Sequence, residues 1–102
     1  MMTMGEAVGQ RIKYYMDEYN ANREEGEEKL TINALAKKAN LTQSTLSDIM
    51  RGVNKHPKIS TLSHIVKPFG ITISEFFDDS MFDEAYAEPI KPRTKKQNEP
   101  AD

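Results

Sequence analysis

TINALAKKANLTQSTLSDIMRG, Thr31 to Gly52, holds two short apolar runs separated by about three residues. Leu35, Ala36 and Ala39 mark the first run, and Leu41, Leu46 and Ile49 mark the second. Both recur at the spacing of one face of an α-helix. Thr31 and Thr42 stand where N-caps are needed, because a hydroxyl oxygen accepts from an unpaired N–H of the first turn. Asn40 follows the first run and Gly52 the second, and both tolerate the left-handed backbone that stops a helix. Two helices joined this tightly need a small residue at their crossing, and Ala36 supplies it. The outward positions of the second run are unusual. Gln43, Ser44, Thr45, Ser47 and Asp48 are short and polar, where a solvated helix face ordinarily carries Lys and Glu.

On the N-terminal side, Val8, Ile12, Tyr15, Met16 and Tyr19 predict one face of a helix about four turns long. Tyr14, Tyr15 and Tyr19 are expected in the core or at its edge. NANREEGEEK, residues 20–29, lacks apolar periodicity and reads as fraying helix followed by an exposed loop. On the C-terminal side, VNKHPK is a loop around Pro57. Ile59, Leu62, Ile65 and Val66 mark a fourth helix, closed by Pro68 and Gly70. TISE, Thr72 to Glu75, is a capping box that opens a fifth, with Ile73, Phe76 and Phe77 on its buried side. The pattern fades after Asp79. EPIKPRTKKQNEPAD, from Glu88, has too little apolar surface to offset the entropy of ordering and predicts disorder. Nothing reads as a strand. The expectation is an all-α, five-helix domain over residues 5–79, with the two-helix motif at 31–52 and a flexible tail at 80–102.

The chain has 102 residues, no Cys and a net charge of −2. It has no apolar stretch of membrane-spanning length, so a soluble cytoplasmic protein with no membrane partner is expected. The charge is segregated. Residues 29–67 hold seven Lys or Arg against the single acid Asp48, and residues 68–88 hold six acids and no base. Such asymmetry points to one anion-binding face. Catalysis finds no support, because His56 and His64 neighbour neither a plausible nucleophile nor a metal-ligand set. No phosphate-cradling glycine loop or dinucleotide fingerprint is present, so no enzyme activity, metal or cofactor is expected.

A small residue, a permissive turn residue and spaced aliphatics together make a helix-turn-helix pattern, rather than an ordinary αα-hairpin. The stretch from Thr31 through Phe77, strongest in LTQSTLSDIMRG and HPKISTL, resembles the lambda-repressor-like, Cro-type helix-turn-helix family over roughly residues 9–79. The resemblance implies five helices and a phage-type or mobile-element-type transcription regulator that binds its operator as a dimer. It places base readers at Gln43, Ser44 and Asp48, with Thr45 and Ser47 flanking them. Short donors and acceptors suit this task, since a helix in the major groove must meet base edges closely. Gln43 can bond adenine N6 and N7 together, Ser44 several bases, and Asp48 cytosine N4 unless it bonds within its own helix. Lys55, His56 and Lys58 match the family's phosphate-contacting loop. Arg51, Asn54, Lys37, Lys38 and the start of the first motif helix at Thr31 complete the phosphate set.

The chain departs from the family at three places. Many members carry Gln where Ile32 stands, so that phosphate contact is in doubt. Many bury an Arg–Glu pair where this chain aligns Met16 with Met50, a double change compatible with the same fold. The link between the first two helices is about nine residues longer, which is tolerable in a surface loop. The function expected is that of a sequence-specific regulator, a repressor, acting as a homodimer on a palindromic double-stranded DNA operator. The alternative is an antitoxin or adaptor that holds a partner protein through the acidic segments 23–28 and 75–88. Ile73, Phe76, Phe77, Met81 and Phe82 form an apolar cluster, and any exposed part of it is a dimerisation candidate. KPRTKK, Lys91 to Lys96, reads as a solubilising tail, with a phosphate-tracking arm as the alternative.

Overall fold

Thr3 opens the first helix with a capping box. Its hydroxyl accepts from Glu6 N at 3.1 Å, and the Glu6 carboxylate accepts from Thr3 N at 2.9 Å. A computed structural model of the chain describes residues 1–87 and Pro89, and six α-helices follow one another there. They are α1 Met4–Ala21, α2 Ile32–Lys38, α3 Gln43–Met50, α4 Ile59–Val66, α5 Ile73–Phe76 and α6 Met81–Glu84. A 3-10 turn, Lys67–Phe69, follows α4 and ends at Gly70 in the left-handed region. Extended pairing among the described residues is limited to one bridge, Thr3 with Tyr86.

The helices share one apolar core. Val8, Ile12 and Met16 enter from α1, Leu35 and Ala36 from α2, Leu46 and Ile49 from α3, Leu62, Ile65 and Val66 from α4, and Phe76 from α5. Met50 and Ile32 are half-buried against the same cluster that holds Met16. Tyr15 is half-buried too, and Tyr14 and Tyr19, expected in the core or at its edge, are 47% and 36% exposed and lie outside the core itself. Tyr14 stands two positions from Ile12, about 200° around the helix, so its ring cannot join the buried stripe. It sits edge-on to Tyr15 with the Arg11 guanidinium 5.1 Å from its ring.

The segment between α1 and α2 is held at both ends. The Asn20 side-chain amide accepts from Leu30 N at 2.7 Å and donates to Leu30 O at 3.1 Å. This paired bond turns the chain back, and Leu30 is 3% exposed in the core. Residues 21–29 between the clamps are all exposed.

The apolar pattern fades at Asp79, yet residues 80–87 are folded. Phe82 packs edge-on against Phe77 at 4.8 Å, and Tyr86 bonds the chain near its start. Most of the cluster singled out for dimerisation is thereby used inside the domain, with Phe76 buried and Ile73, Phe77, Met81 and Phe82 half-buried. The disorder expected further on concerns residues that lie, Pro89 apart, outside those described.

Arg11 ties the two ends of the fold together, and no sequence pattern announced it. It is 8% exposed. Its Nε donates to Phe76 O at 2.7 Å, and its Nη2 to Glu75 O at 3.0 Å and to Asp78 O at 3.3 Å. The last carbonyls of a helix as short as α5 lack intrahelical partners. The buried guanidinium serves Phe76 O and adds a second donor to Glu75 O, which also accepts from Asp78 N, and it satisfies itself in the same contacts.

Candidate nucleic-acid interface

Both helices of the central motif start and stop by the same local chemistry. Thr31 accepts from Ala34 N at 3.1 Å, and Thr42 accepts from Thr45 N at 3.1 Å. At the end of α2, Leu41 N donates to Ala36 O at 2.8 Å and Asn40 N to Lys37 O at 3.1 Å. At the end of α3, Val53 N donates to Asp48 O at 2.9 Å and Gly52 N to Ile49 O at 3.1 Å. Each pair is a Schellman closure around one left-handed residue, Asn40 at φ 60° and Gly52 at φ 76°. The turn between α2 and α3 is thus fixed by backbone bonds, and α3 leaves it in a set direction.

Two glycines seat α3 against α1. Gly5 and Gly9 lie one turn apart on α1, both buried. A methyl on Gly9 would collide with the Met50 carbonyl oxygen. One on Gly5 would lie 2.8 Å from Asn54 O. Neither glycine was singled out from sequence. The signal was their four-residue spacing, in a helix where glycine is otherwise unfavourable.

This seating decides which face of α3 is presented. Leu46 and Ile49 are fully buried, whereas Gln43, Ser44 and Thr45 are exposed and Ser47 and Asp48 half-buried. Gln43, Ser44, Ser47 and Asp48 form one continuous outward stripe at three- and four-residue spacings. The side chains of Gln43 and Ser47 make no hydrogen bond among the described residues, which leaves their polar atoms available for other partners. The Thr45 hydroxyl accepts from the Thr42 hydroxyl at 2.8 Å. The Asp48 carboxylate accepts from Arg51 Nη2 at 2.8 Å within its own helix end. Both partners are about half exposed, so this pair contributes on the order of 0–1 kcal/mol and is easily exchanged for other partners.

The loop after α3 continues the stripe. Asn54 Oδ1 accepts from His56 N at 3.0 Å and turns the chain there. Arg51, Lys55, His56 and Lys58 are exposed along this loop, and Asn54 is half-buried. Thr31, Lys37 and Lys38 are exposed on α2. The structure does not gather all of these. Lys38 lines a cleft with Tyr19 and Leu30, on the side of the α1–α2 linker. Lys37 and Lys38 also stand in the last turn of α2, where cations meet the negative end of the helix dipole. Ile32 is half-buried against the core, so this position offers no polar group to a phosphate.

No group of three or more His, Cys, Asp or Glu side chains able to hold a metal occurs among the described residues. No helix among them is long and apolar enough to cross a membrane.

A rigid two-helix turn carrying a polar stripe on its second helix, followed by a basic loop, defines a helix-turn-helix DNA-binding domain. The Helix-turn-helix family model HTH_3 matches residues 21–76, and the chain belongs to this lambda-repressor/Cro-like family. Its members are DNA-binding, non-enzymatic domains of transcription regulators. Comparison with curated proteins and with solved structures returns no significant match.

Proposed function

We propose that this chain is a sequence-specific repressor that reads the major groove with α3 and binds a palindromic operator as a homodimer. The observation that carries the reading is the outward stripe of Gln43, Ser44, Ser47 and Asp48, opposite fully buried Leu46 and Ile49. A helix that enters the groove meets base edges with side chains that donate and accept hydrogen bonds, and this stripe supplies both. Gln43 and Ser44 lead at the N-terminal end, with Thr45 flanking them. Asp48 follows one turn later and takes a cytosine amino group when Arg51 turns to a phosphate. Arg51, Asn54, Lys55, His56 and Lys58 hold the backbone on one side of the helix, and Thr31 and Lys37 on the other. Two-fold symmetry of the protein then demands two half-sites. Repression is the output that needs nothing beyond occupancy of the operator.

Selection of bound sequences from random duplex DNA tests this reading. The expected product is an inverted repeat. Gln43→Ala then relaxes preference at one base pair of each half-site, a loss of about 1–3 kcal/mol of discrimination. A Gln43→Ala protein that keeps the full preference would remove Gln43 from the readout set.

The adaptor reading uses the acids of 23–28 and 75–88 as free surfaces, and two of the second set are already engaged. Glu75 accepts from Thr72 N at 2.8 Å, and Asp79 accepts from Met81 N at 2.9 Å and faces Arg11 at 3.5 Å.

A further inference from the structure

Residues 80–87 are folded beyond the end of the family match at residue 76, and the reading above gives them no role. Their contacts lead to the start of the chain. Met4 N donates to Tyr86 O at 2.7 Å, and Tyr86 N donates to Met2 O at 3.2 Å. At the other end of the segment, the Phe82 ring lies 4.8 Å from that of Phe77 and 6.0 Å from that of Phe76. The segment is thus a strap that runs from α5 to the first turn of α1. It also completes that turn, because Met4 N–H is one of the donors that a helix start leaves without an intrahelical partner.

What the strap fastens is the support of the loop assigned to phosphates. Gly5 follows Met4 and lies so close to this loop that a methyl on it would stand 2.8 Å from Asn54 O and 3.2 Å from Lys55 Cα. Glu6 backs Gly52, where a methyl would stand 2.8 Å from Glu6 Cγ and 3.2 Å from Glu6 Cα. Met2, which accepts from Tyr86 N, lines a cleft with Glu6, Gln10, Met50 and Arg51. The first turn of α1 therefore stands behind the chain from the end of α3 to Lys55. Contacts as close as that of Gly5 with the loop main chain transmit a displacement rather than absorb it. A chain end left untied frays, and this one would take its support from the loop as it did so.

We infer that Tyr86 is a positioning residue for DNA binding. Its main-chain bonds hold the first turn of α1 against residues 52–55, and so keep the cations of that loop in register with phosphates. The ring of Tyr86 has no part in these bonds. The inference rests on the DNA-binding reading above. Loss of one or two phosphate contacts flattens the dependence of log K on log salt by about 1–2 for each bound chain.

The test uses the full chain with Met4→Pro and Tyr86→Pro together, which removes both donors. Position 4 is the first of its helix, where proline is tolerated. The residues before the two sites, Thr3 at ψ 163° and Ala85 at ψ 148°, already have the extended backbone that proline requires of its neighbour. Met4→Pro alone gives the same reading with a single bond removed. The probes are the selected operator and a mixed-sequence duplex. The variant is expected to melt cooperatively and to show a salt slope flatter by about 1–2 per chain on both duplexes, with their affinity ratio unchanged. The amides of Gly52, Val53 and Asn54, which donate to Ile49 O and Asp48 O, should exchange hydrogen faster than in the parent. Tyr86→Ala keeps the main-chain bonds and should match the parent in slope and exchange. A parent-like slope or parent-like exchange in the proline variants would overturn the positioning role and leave the DNA-binding reading standing. So would an alanine variant as impaired as they are. Failure of the parent to bind either duplex at low salt would overturn that reading and the positioning role with it.

Discussion

At the scale of single residues, buried and exposed cations do different work. The Arg11 ion pair with Asp79 spans 3.5 Å to a carboxylate 39% exposed, so it contributes little. Its bonds to the carbonyls of Phe76, Glu75 and Asp78 matter more, because a charged donor contributes about 1.5–3 kcal/mol and an orphaned buried acceptor costs a similar amount. Arg11→Met is therefore expected to destabilise the domain by about 2–3 kcal/mol, which lowers Tm by on the order of 10–20 °C at this size. Thermal unfolding followed by circular dichroism measures it, and an unchanged Tm would deny Arg11 this role. Exposed Lys55 is assigned to phosphates in the proposed reading. Lys55→Ala should weaken binding to every duplex alike and reduce the salt slope by about 1 for each bound chain. A change confined to one base pair would move Lys55 from the phosphate set to the readout set.

At the scale of elements, the turn between α2 and α3 rests on one left-handed residue that is not glycine. Asn40 holds φ 60° without the steric freedom of a residue lacking Cβ. Asn40→Gly should stabilise the domain by up to about 1 kcal/mol, and Asn40→Val should destabilise it by about 1–2 kcal/mol or more. Denaturant midpoints of the two variants give the comparison, and equal midpoints would mean that the Schellman closure does not hold the turn. The signals at Thr31, Asn40, Thr42, Gly52, Thr72 and Glu75 were legible in the sequence because each acts on residues three to five positions away. The capping box of Thr3 and Glu6 is of the same kind and stands just before the apolar run that begins at Val8, although the reading of that run did not extend back to it. What could not be read joins distant parts of the chain. The carbonyls that Arg11 serves are 64 to 67 residues away, and no period connects Tyr86 to Met2 and Met4. For the candidate site, exposure of Gln43, Ser44 and Thr45 follows from the helical spacing of Leu46 and Ile49. The support that Gly5 and Gly9 give to α3 depends on a crossing that only the folded chain defines.

At the scale of the whole molecule, a protein of net charge −2 is asked to hold a polyanion. Segregation along the chain favours this, since exposed charges more than about 10 Å from the duplex are largely screened at 0.1 M salt. On the proposed reading the duplex meets Lys37 and the loop with Arg51, Lys55 and Lys58, not the acidic linker or the acids beyond Pro68. The size of the effect can be counted. With Lys37 counted beside Arg51, Lys55 and Lys58, each protomer of a dimer brings four cations to phosphates, about eight in all. The slope of log K against log salt should then be near −7, a loss of about ten-thousandfold between 50 and 200 mM salt. Footprinting on the selected operator should show two protected half-sites about 34–36 Å apart, or a multiple of that spacing. Half the slope with one protected half-site would make the binding unit a monomer and remove the reason for a palindrome. Two protected half-sites with a slope near zero would mean that base contacts alone hold the complex, and the charge separation along this chain would then have no part in its affinity for DNA.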